Sequence, residues 1–397
     1  MSRFKIGLLL SYISIASISA AIITPALPQI EQAYSLTNGA LEWVVSLFLL
    51  GYVIGQLIYG PLANRFGRLK ALRIGLALNL LGILICMLST RYSHYGLLLM
   101  GRLVTALGAA SGLSCTFILL NELLPLEQAK RAMSFAIVSF TVGIGVAVTL
   151  GGVITQYLQW QDCFLVLLLH GIAMFVLTGL FPETLKTVVK LHPLTLLAGY
   201  RLALKNSKLI IFSLTVGLVS AISYCYSAAA PIYAQAQLHL SPGAYGYWNL
   251  TNMIGMLASG FLGAYLIDNY GPKFLVLFAL GGLIPAIGSL AIIALTHQSS
   301  ILWFFGTTLF LYLFSGLLFP AGSFYASNAI KDKASASGMM SFINMGSAMV
   351  AVIIMGYLPM SSISALALTL SLFFILVSVL VLVTVLAPPL RLTFFKT

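Results

Sequence analysis

Residues 43–70 read WVVSLFLLGYVIGQLIYGPLANRFGRLK. Trp43–Leu62 is apolar almost throughout, and then Asn64, Arg65, Arg68 and Lys70 follow within a few positions. A helix needs ~20 predominantly apolar residues to cross the hydrocarbon core of a bilayer. The stretch therefore reads as a membrane span that runs into a short basic loop. The apolar residues are continuous and do not alternate with polar ones, which excludes the strands of a transmembrane barrel.

The same pattern recurs along the chain. Further spans are expected at Ile6–Leu27, Leu72–Ser89, Tyr95–Leu120, Ala132–Ile154 and Phe164–Phe181. After a polar stretch come Leu209–Pro231, Tyr245–Ile267, Phe274–Thr296, Ile301–Ala326, Ala336–Met355 and Ala365–Leu386. The chain has 397 residues, 60% of them hydrophobic and 7% charged. A soluble domain carries about 25% charged residues, so lipid must be the solvent for most of this surface. The first run follows Arg3 and Lys5 as a signal peptide would, but it is long and carries Pro25 and Pro28 rather than a small-residue cleavage site, so it reads as a retained span. The expected fold is an all-α membrane protein with twelve transmembrane helices in two six-helix bundles around a central cavity. The bundles are expected at residues 1–182 and 209–397. A cytoplasmic linker at 183–208 joins them, with an interfacial helix over Leu194–Leu204.

The net charge of +12 invites a nucleic-acid reading, and its distribution rejects one. With the N-terminus placed in the cytoplasm, the inward loops and ends collect nearly all the Lys and Arg; Arg91 alone falls in an outward loop, and Arg102 lies within a span. The span count and the positive-inside rule thus support each other, and both termini are expected to be cytoplasmic.

Two loops echo one another. Gly60-Pro-Leu-Ala-Asn64-Arg65-Phe-Gly67-Arg68 follows span two, and Ala264-Tyr-Leu-Ile-Asp268-Asn269-Tyr-Gly271-Pro-Lys273 follows span eight. Each has a small residue, an Asn or Asp four positions on, a Gly three further on and then a base. Each joins the second and third helices of its half. Duplicated halves with a substrate site between them are a common plan of transporters.

On these residues the chain resembles the major facilitator superfamily. Gly55–Arg68 is similar to the family's loop motif between helices two and three. Thr24-Pro25-Ala-Leu-Pro28 resembles the first helix of the twelve-span drug/proton antiporters of the Bcr/CflA branch, and Gly101-Arg102-Leu-Val-Thr-Ala-Leu-Gly108 looks like the fourth-helix motif. The resemblance implies alternating access in a bacterial inner membrane. It also implies a gating role for Gly60, Asn64, Arg65, Gly67 and Arg68, with Asp268 and Gly271 in the second half. Asn64 stands where the family motif has Asp, Ala21 where the branch often has an acid, and Ala147-Val148 where the antiporters have Gly-Pro.

The eight acids all fall at span ends or in loops: Glu31, Glu42 and Asp162 outward, Glu127, Glu183, Asp268 and Asp332 cytoplasmic, and Glu122 at the inner end of span four. A buried carboxylate is the usual proton carrier and the usual partner of a cationic drug, and none is expected at mid-membrane. His170 and Glu122 remain as proton-coupling candidates, with Glu42 beside them. Arg102 is the strongest cavity candidate, the plainer reading being a polar clasp between helices. Tyr224 and Tyr226 on span seven, Trp248, Asn249 and Asn252 on span eight and Asn344 on span eleven complete the expected cavity; interhelical hydrogen bonding is the alternative for the polar ones. Trp43 and Trp160 are expected in the interfacial belt. Gly143, Gly145, Gly151 and Gly152 suit close helix contact.

The four cysteines have no metal-ligand spacing, and neither a phosphate loop nor a nucleophile–base pair is present. The chain therefore reads as no enzyme, with no metal and no cofactor. The expected function is secondary active transport of a small organic solute. A neutral or anionic one is favoured, a metallophore or a drug-like metabolite being candidates. The alternatives are proton-coupled multidrug efflux of cationic compounds, and a transport-inactive membrane sensor on the same fold. The expected partners are the solute, the lipid bilayer and protons, with no nucleic acid; a monomer suffices to form the pathway.

Overall fold

The computed structural model describes residues 2–386 apart from 38, 126–127, 130–131, 133–134, 186–199, 297–298 and 331–332. Lys130, Arg131, Lys186, Lys190, Lys331, Arg391, Lys396, Glu127 and Asp332 lie outside the described residues, as does most of the helix expected over Leu194–Leu204.

Among the described residues, ten helical stretches are long and apolar enough to cross a membrane, and the bent pair Arg3–Ser11 and Ser14–Ala33, turned by 41°, makes an eleventh when taken as one span. One of the ten, Pro242–Thr296, has 55 residues. At 1.5 Å per residue it would run about 80 Å, far beyond one ~30 Å core. Gly271, at φ 80° and ψ 168°, breaks it into two. The count is then the twelve that the apolar runs imply. The remaining spans are Trp43–Phe66 (two), Arg68–Arg91 (three), Tyr95–Leu123 (four), Ala136–Tyr157 (five), Asp162–Leu177 (six), Ser207–Ala236 (seven), Ile301–Ser327 (ten), Lys333–Gly356 (eleven) and Ser362–Leu386 (twelve).

In the first half, span four packs on two and three, five on one, and six on three. In the second, ten packs on eight, nine and seven, while eleven and twelve pack on seven. The halves meet where two touches eleven, five touches eight, and one touches seven. Apolar side chains cover the outer faces: Leu295 is 80% exposed and Phe261 75%. Such a surface is tolerable only in lipid, and helices suit lipid because every backbone group is bonded internally.

Span one turns by 41° between Ser11 and Ser14; further along, Pro25 and Pro28 have no N–H to continue the helix and interrupt its hydrogen-bond ladder. A 3-10 turn at Thr24–Ala26 takes up the break. The Thr24 hydroxyl donates to the Ala21 carbonyl at 2.9 Å, the group Pro25 cannot serve. Trp160, expected in the interfacial belt, sits between spans five and six, is 7% exposed and packs edge-on to Tyr34 and Phe164.

Candidate functional site

Between the halves lies a small cavity lined by Phe140, Thr141, Ile144 and Gly145 of span five, Ser223 of span seven, Asn249, Asn252, Met253 and Met256 of span eight, and Tyr312 of span ten. Its free space of about 40 Å³ admits about one water, whose share of the liquid is roughly 30 Å³. The pathway is therefore nearly shut at this level. No charged side chain is among the lining residues.

A string of polar groups runs behind the lining. Thr308 Oγ1 donates to Asn252 Oδ1 at 2.7 Å, and Asn252 Nδ2 donates to Asn249 Oδ1 at 3.1 Å. Tyr226 Oη is buried beside Tyr245, Asn252 and Thr308 without a well-formed hydrogen bond. Asn344 Oδ1 is likewise buried without a partner. Buried polar groups are nearly always satisfied, so unsatisfied ones beside a transport route are sites where water or solute can bind. Tyr226 stacks on Phe304 at 6.2 Å, and Trp248 stacks on Phe305 at 5.4 Å. Of the expected cavity residues, Asn249 and Asn252 line it, and Tyr226 and Trp248 stand in the aromatic layer behind it. Asn344 is not among the lining residues; its backbone carbonyl and the Ser347 side chain lie against Gly217 of span seven.

Arg102 is 1% exposed, and its guanidinium is spent on helix carbonyls. It donates to Ser19 O at 2.5 Å, Ala20 O at 3.3 Å and Val44 O at 3.3 Å, and lies 4.4 Å from the centre of the Phe48 ring. It ties spans one, two and four together just before the 3-10 break of span one at Thr24–Ala26, and lies within electrostatic reach of Tyr224 in the other half. His170 is half-buried on span six, outside the cavity lining, and its ring has no hydrogen-bond partner among the described residues.

The Gly67 turn is the best-connected of the expected gating elements. Gly67 has φ 116° and ψ 150°, a conformation that an L side chain disfavours. A Cβ there would stand 2.4 Å from Glu183 Oε2. That room lets the Glu183 carboxylate cap span three, accepting from the backbone N–H of Arg68 (2.8 Å), Leu69 (3.2 Å) and Lys70 (3.3 Å). A carboxylate at a helix N-terminus satisfies orphan donors and complements the dipole. Partial burial raises the Glu183 pKa, but backbone N–H donors from Leu185, Arg68, Lys70 and Thr184 outweigh it, and the net shift is downward. Arg68 donates to Glu122 through Nε (3.0 Å) and Nη2 (2.7 Å) and to Ala63 O through Nη1 (3.2 Å). Thr184 also donates to Glu122. Glu122, expected as a proton site, thus stands in the ion pair of the turn. Arg65 lies over Phe66 at 5.2 Å, and Asn64 makes no hydrogen bond among the described residues. No packing demand falls on Gly60, where a Cβ would meet open space.

The second-half loop repeats the backbone but not the contacts. Gly271 has φ 80°, yet a Cβ there would touch nothing within 4 Å, and Asp268 is exposed with no ion pair among the described residues. Two acids carry geometry that spacing did not reveal. Glu183 reads in the sequence as a lone acid in the linker. Glu42 reads as an outward-facing one, whereas it is half-buried where the halves meet.

The sequence model of the Major Facilitator Superfamily matches residues 9–344 and, overlapping them, 212–395. The Quinolone resistance protein NorB of Staphylococcus aureus strain JH9 is 29% identical over 195 residues, and so is that of strain Newman; the match covers 48% of this chain and 40% of each relative. The chain thus spans less than half the length of these curated relatives. The crystal structure of a D-xylose-proton symporter superposes with a TM-score of 0.74 at 16% identity, over 95% of this chain and 97% of that one. At that identity the likeness speaks to the fold alone.

Proposed function

The chain belongs to the major facilitator superfamily, whose members are multi-pass membrane transporters and not enzymes, and from that premise we propose that it carries a small uncharged organic solute between its two halves by alternating access. The carrying observation is the cavity between spans five, seven, eight and ten. Amide and hydroxyl groups from Thr141, Ser223, Asn249 and Asn252 stand there among Phe140, Tyr312 and two methionines, with no charged side chain. Such a lining suits an aromatic or polar neutral molecule. A cation would enter without a carboxylate to meet it. An anion would need Arg102, which is buried outside the cavity lining and has each guanidinium nitrogen on a helix carbonyl. Neutral cargo is therefore favoured over the anionic cargo that the sequence admits.

A second reading, efflux of a drug-like compound coupled to protons, is supported by the likeness to the quinolone resistance proteins and by the first-helix motif. We place the protein in a bacterial inner membrane with the Gly67 end in the cytoplasm. Arg65, Arg68, Lys70, Arg73, Arg201, Lys205, Lys208 and Lys273 all belong to that end, as the positive-inside rule requires. Residues 1–182 and 209–397 are taken as the two moving bundles.

The test uses proteoliposomes with an imposed pH gradient and labelled neutral, cationic and anionic solutes. Gradient-dependent movement of a neutral solute is expected, weakened about tenfold by Asn252→Ala, the loss of roughly one net hydrogen bond. Preference for a cation would sink the neutral reading and restore cationic efflux. Movement of no solute at all would favour the transport-inactive sensor.

A further inference from the structure

Glu42 immediately precedes span two, at the end of the molecule opposite the Gly67 turn. Its Oε2 is shut off from solvent and has no hydrogen-bond partner. It is pressed against the other half: a Cβ on Gly356, the last residue of span eleven, would stand 2.5 Å from Glu42 Cγ. The adjacent Trp43 donates from Nε1 to Tyr357 Oη at 3.1 Å, and the Tyr357 ring lies on Gly39. This end of the contact between spans two and eleven is therefore closed over a carboxyl group.

Among the described residues, the groups that bear on that carboxyl offer it no positive charge. From the last turns of span one comes Glu31, whose charge bears on Glu42. From the start of span four comes Tyr95, which donates to Ala40 O and on whose hydroxyl Glu42 acts. From the end of span eleven comes Tyr357. None of these is basic. Burial raises the Glu42 pKa above its ordinary 4.5, its own backbone N–H lowers it, and Glu31 raises it again; the net direction is upward. The N-terminus of span two favours the anion, but burial outweighs it. Glu42 is half-buried and its Oε2 is shut off without a partner; an ionised carboxylate there gives up hydration with no cation in return, a cost that a carboxylic acid largely avoids.

We propose that Glu42 is a proton-binding site outside the central cavity: in its neutral form it lets the two halves close at this end, and in its ionised form it drives them apart. The inference rests on the alternating-access reading above. Its sign follows from linkage. In the open state water reaches the carboxyl, and the burial that raises its pKa is lost. In the closed state the pKa is higher, so closure binds a proton. Closure is favoured at low pH and lost as pH rises through the raised pKa. If this end faces outward, an acidic exterior shuts the outward gate.

The test reads distance and needs no cargo. Spin labels at Tyr92→Cys and Leu302→Cys sit on opposite halves at this end, at positions 70% and 73% exposed, while the four native cysteines are buried. In full-length protein in lipid nanodiscs, a short-distance population should dominate at acid pH and give way to a longer one as pH rises. Glu42→Gln, nearly isosteric, should hold the short distance at every pH. Glu42→Asp should keep the pH response, and Glu31→Gln should shift its midpoint downward. A Glu42→Gln protein with the wild-type pH response would overturn the proposal, as would a wild-type protein whose distances ignore pH. Failure of solute transport in liposomes would leave this readout untouched, so the two readings fail separately.

Discussion

Gly67 shows how much a single position can carry. Its φ of 116° suits glycine alone, and its missing side chain is the space that the Glu183 carboxylate fills. Gly67→Ala meets both objections at once. The backbone strain alone costs roughly 1–2 kcal/mol, and the Cβ pushes Glu183 off the three N–H groups at the start of span three. We expect a lower unfolding temperature in detergent and a looser Arg68–Glu122 pair, seen as faster hydrogen exchange in residues 64–72. An unchanged protein by both measures would mean that the cap is not held in solution. Half of this arrangement is legible in the sequence. Gly67 and Arg68 stand at the spacing of a tight basic turn, but the cap arrives from Glu183, which is 115 positions from Arg68. Local patterns cannot announce such a partner. The same limit hides Glu42, whose burial comes from Gly356 in the other half of the chain.

At the scale of an element, span one is the irregular member of its bundle, and Arg102 is what holds its shape. The prolines that interrupt it are plain in the sequence, and so is a charge inside span four. Their connection is not, because it depends on which way the guanidinium points. A sequence reading favours a bare charge in the cavity; the structure turns that charge to two carbonyls of span one just before its proline break and one of span two. Replacing it with Met should leave those carbonyls short of donors in a place that water does not reach. The expected loss of stability is on the order of 3 kcal/mol, and Arg102→Lys should recover little of it, since an ammonium lacks the planar fork that spans separate acceptors. Thermal unfolding of the purified variants checks this. A stable Arg102→Met protein that had lost transport of an anion would instead return Arg102 to the cavity.

For the whole molecule, the four glycines of span five sort onto two faces. Cβ atoms on Gly143 and Gly151 would run into span one, at Ser17 Oγ and Ile22 O. On Gly145 and Gly152 they would run into span eight and its preceding turn, at Met253 and at Pro242 O. One face thus binds span five within its own bundle, and the other lets it slide against the partner bundle. The second face also forms a wall of the cavity, so any rocking of the halves must change the gap there. A Cβ on Gly145 would lie 3.1 Å from the Met253 Cβ, a few tenths of an ångström short of the usual Cβ separation across a disulfide. Gly145→Cys with Met253→Cys should therefore cross-link under mild oxidation, the buried native thiols staying unreactive. The oxidised protein should bind solute at most from one side and show no turnover in proteoliposomes, and a reductant should restore transport. In proteins with only one of the two substitutions, transport should not respond to oxidant or reductant, which separates the effect of the bond from that of the substitutions. Full transport in the oxidised double variant would mean that spans five and eight stay together through the cycle, and the moving boundary would then have to lie between spans two and eleven alone.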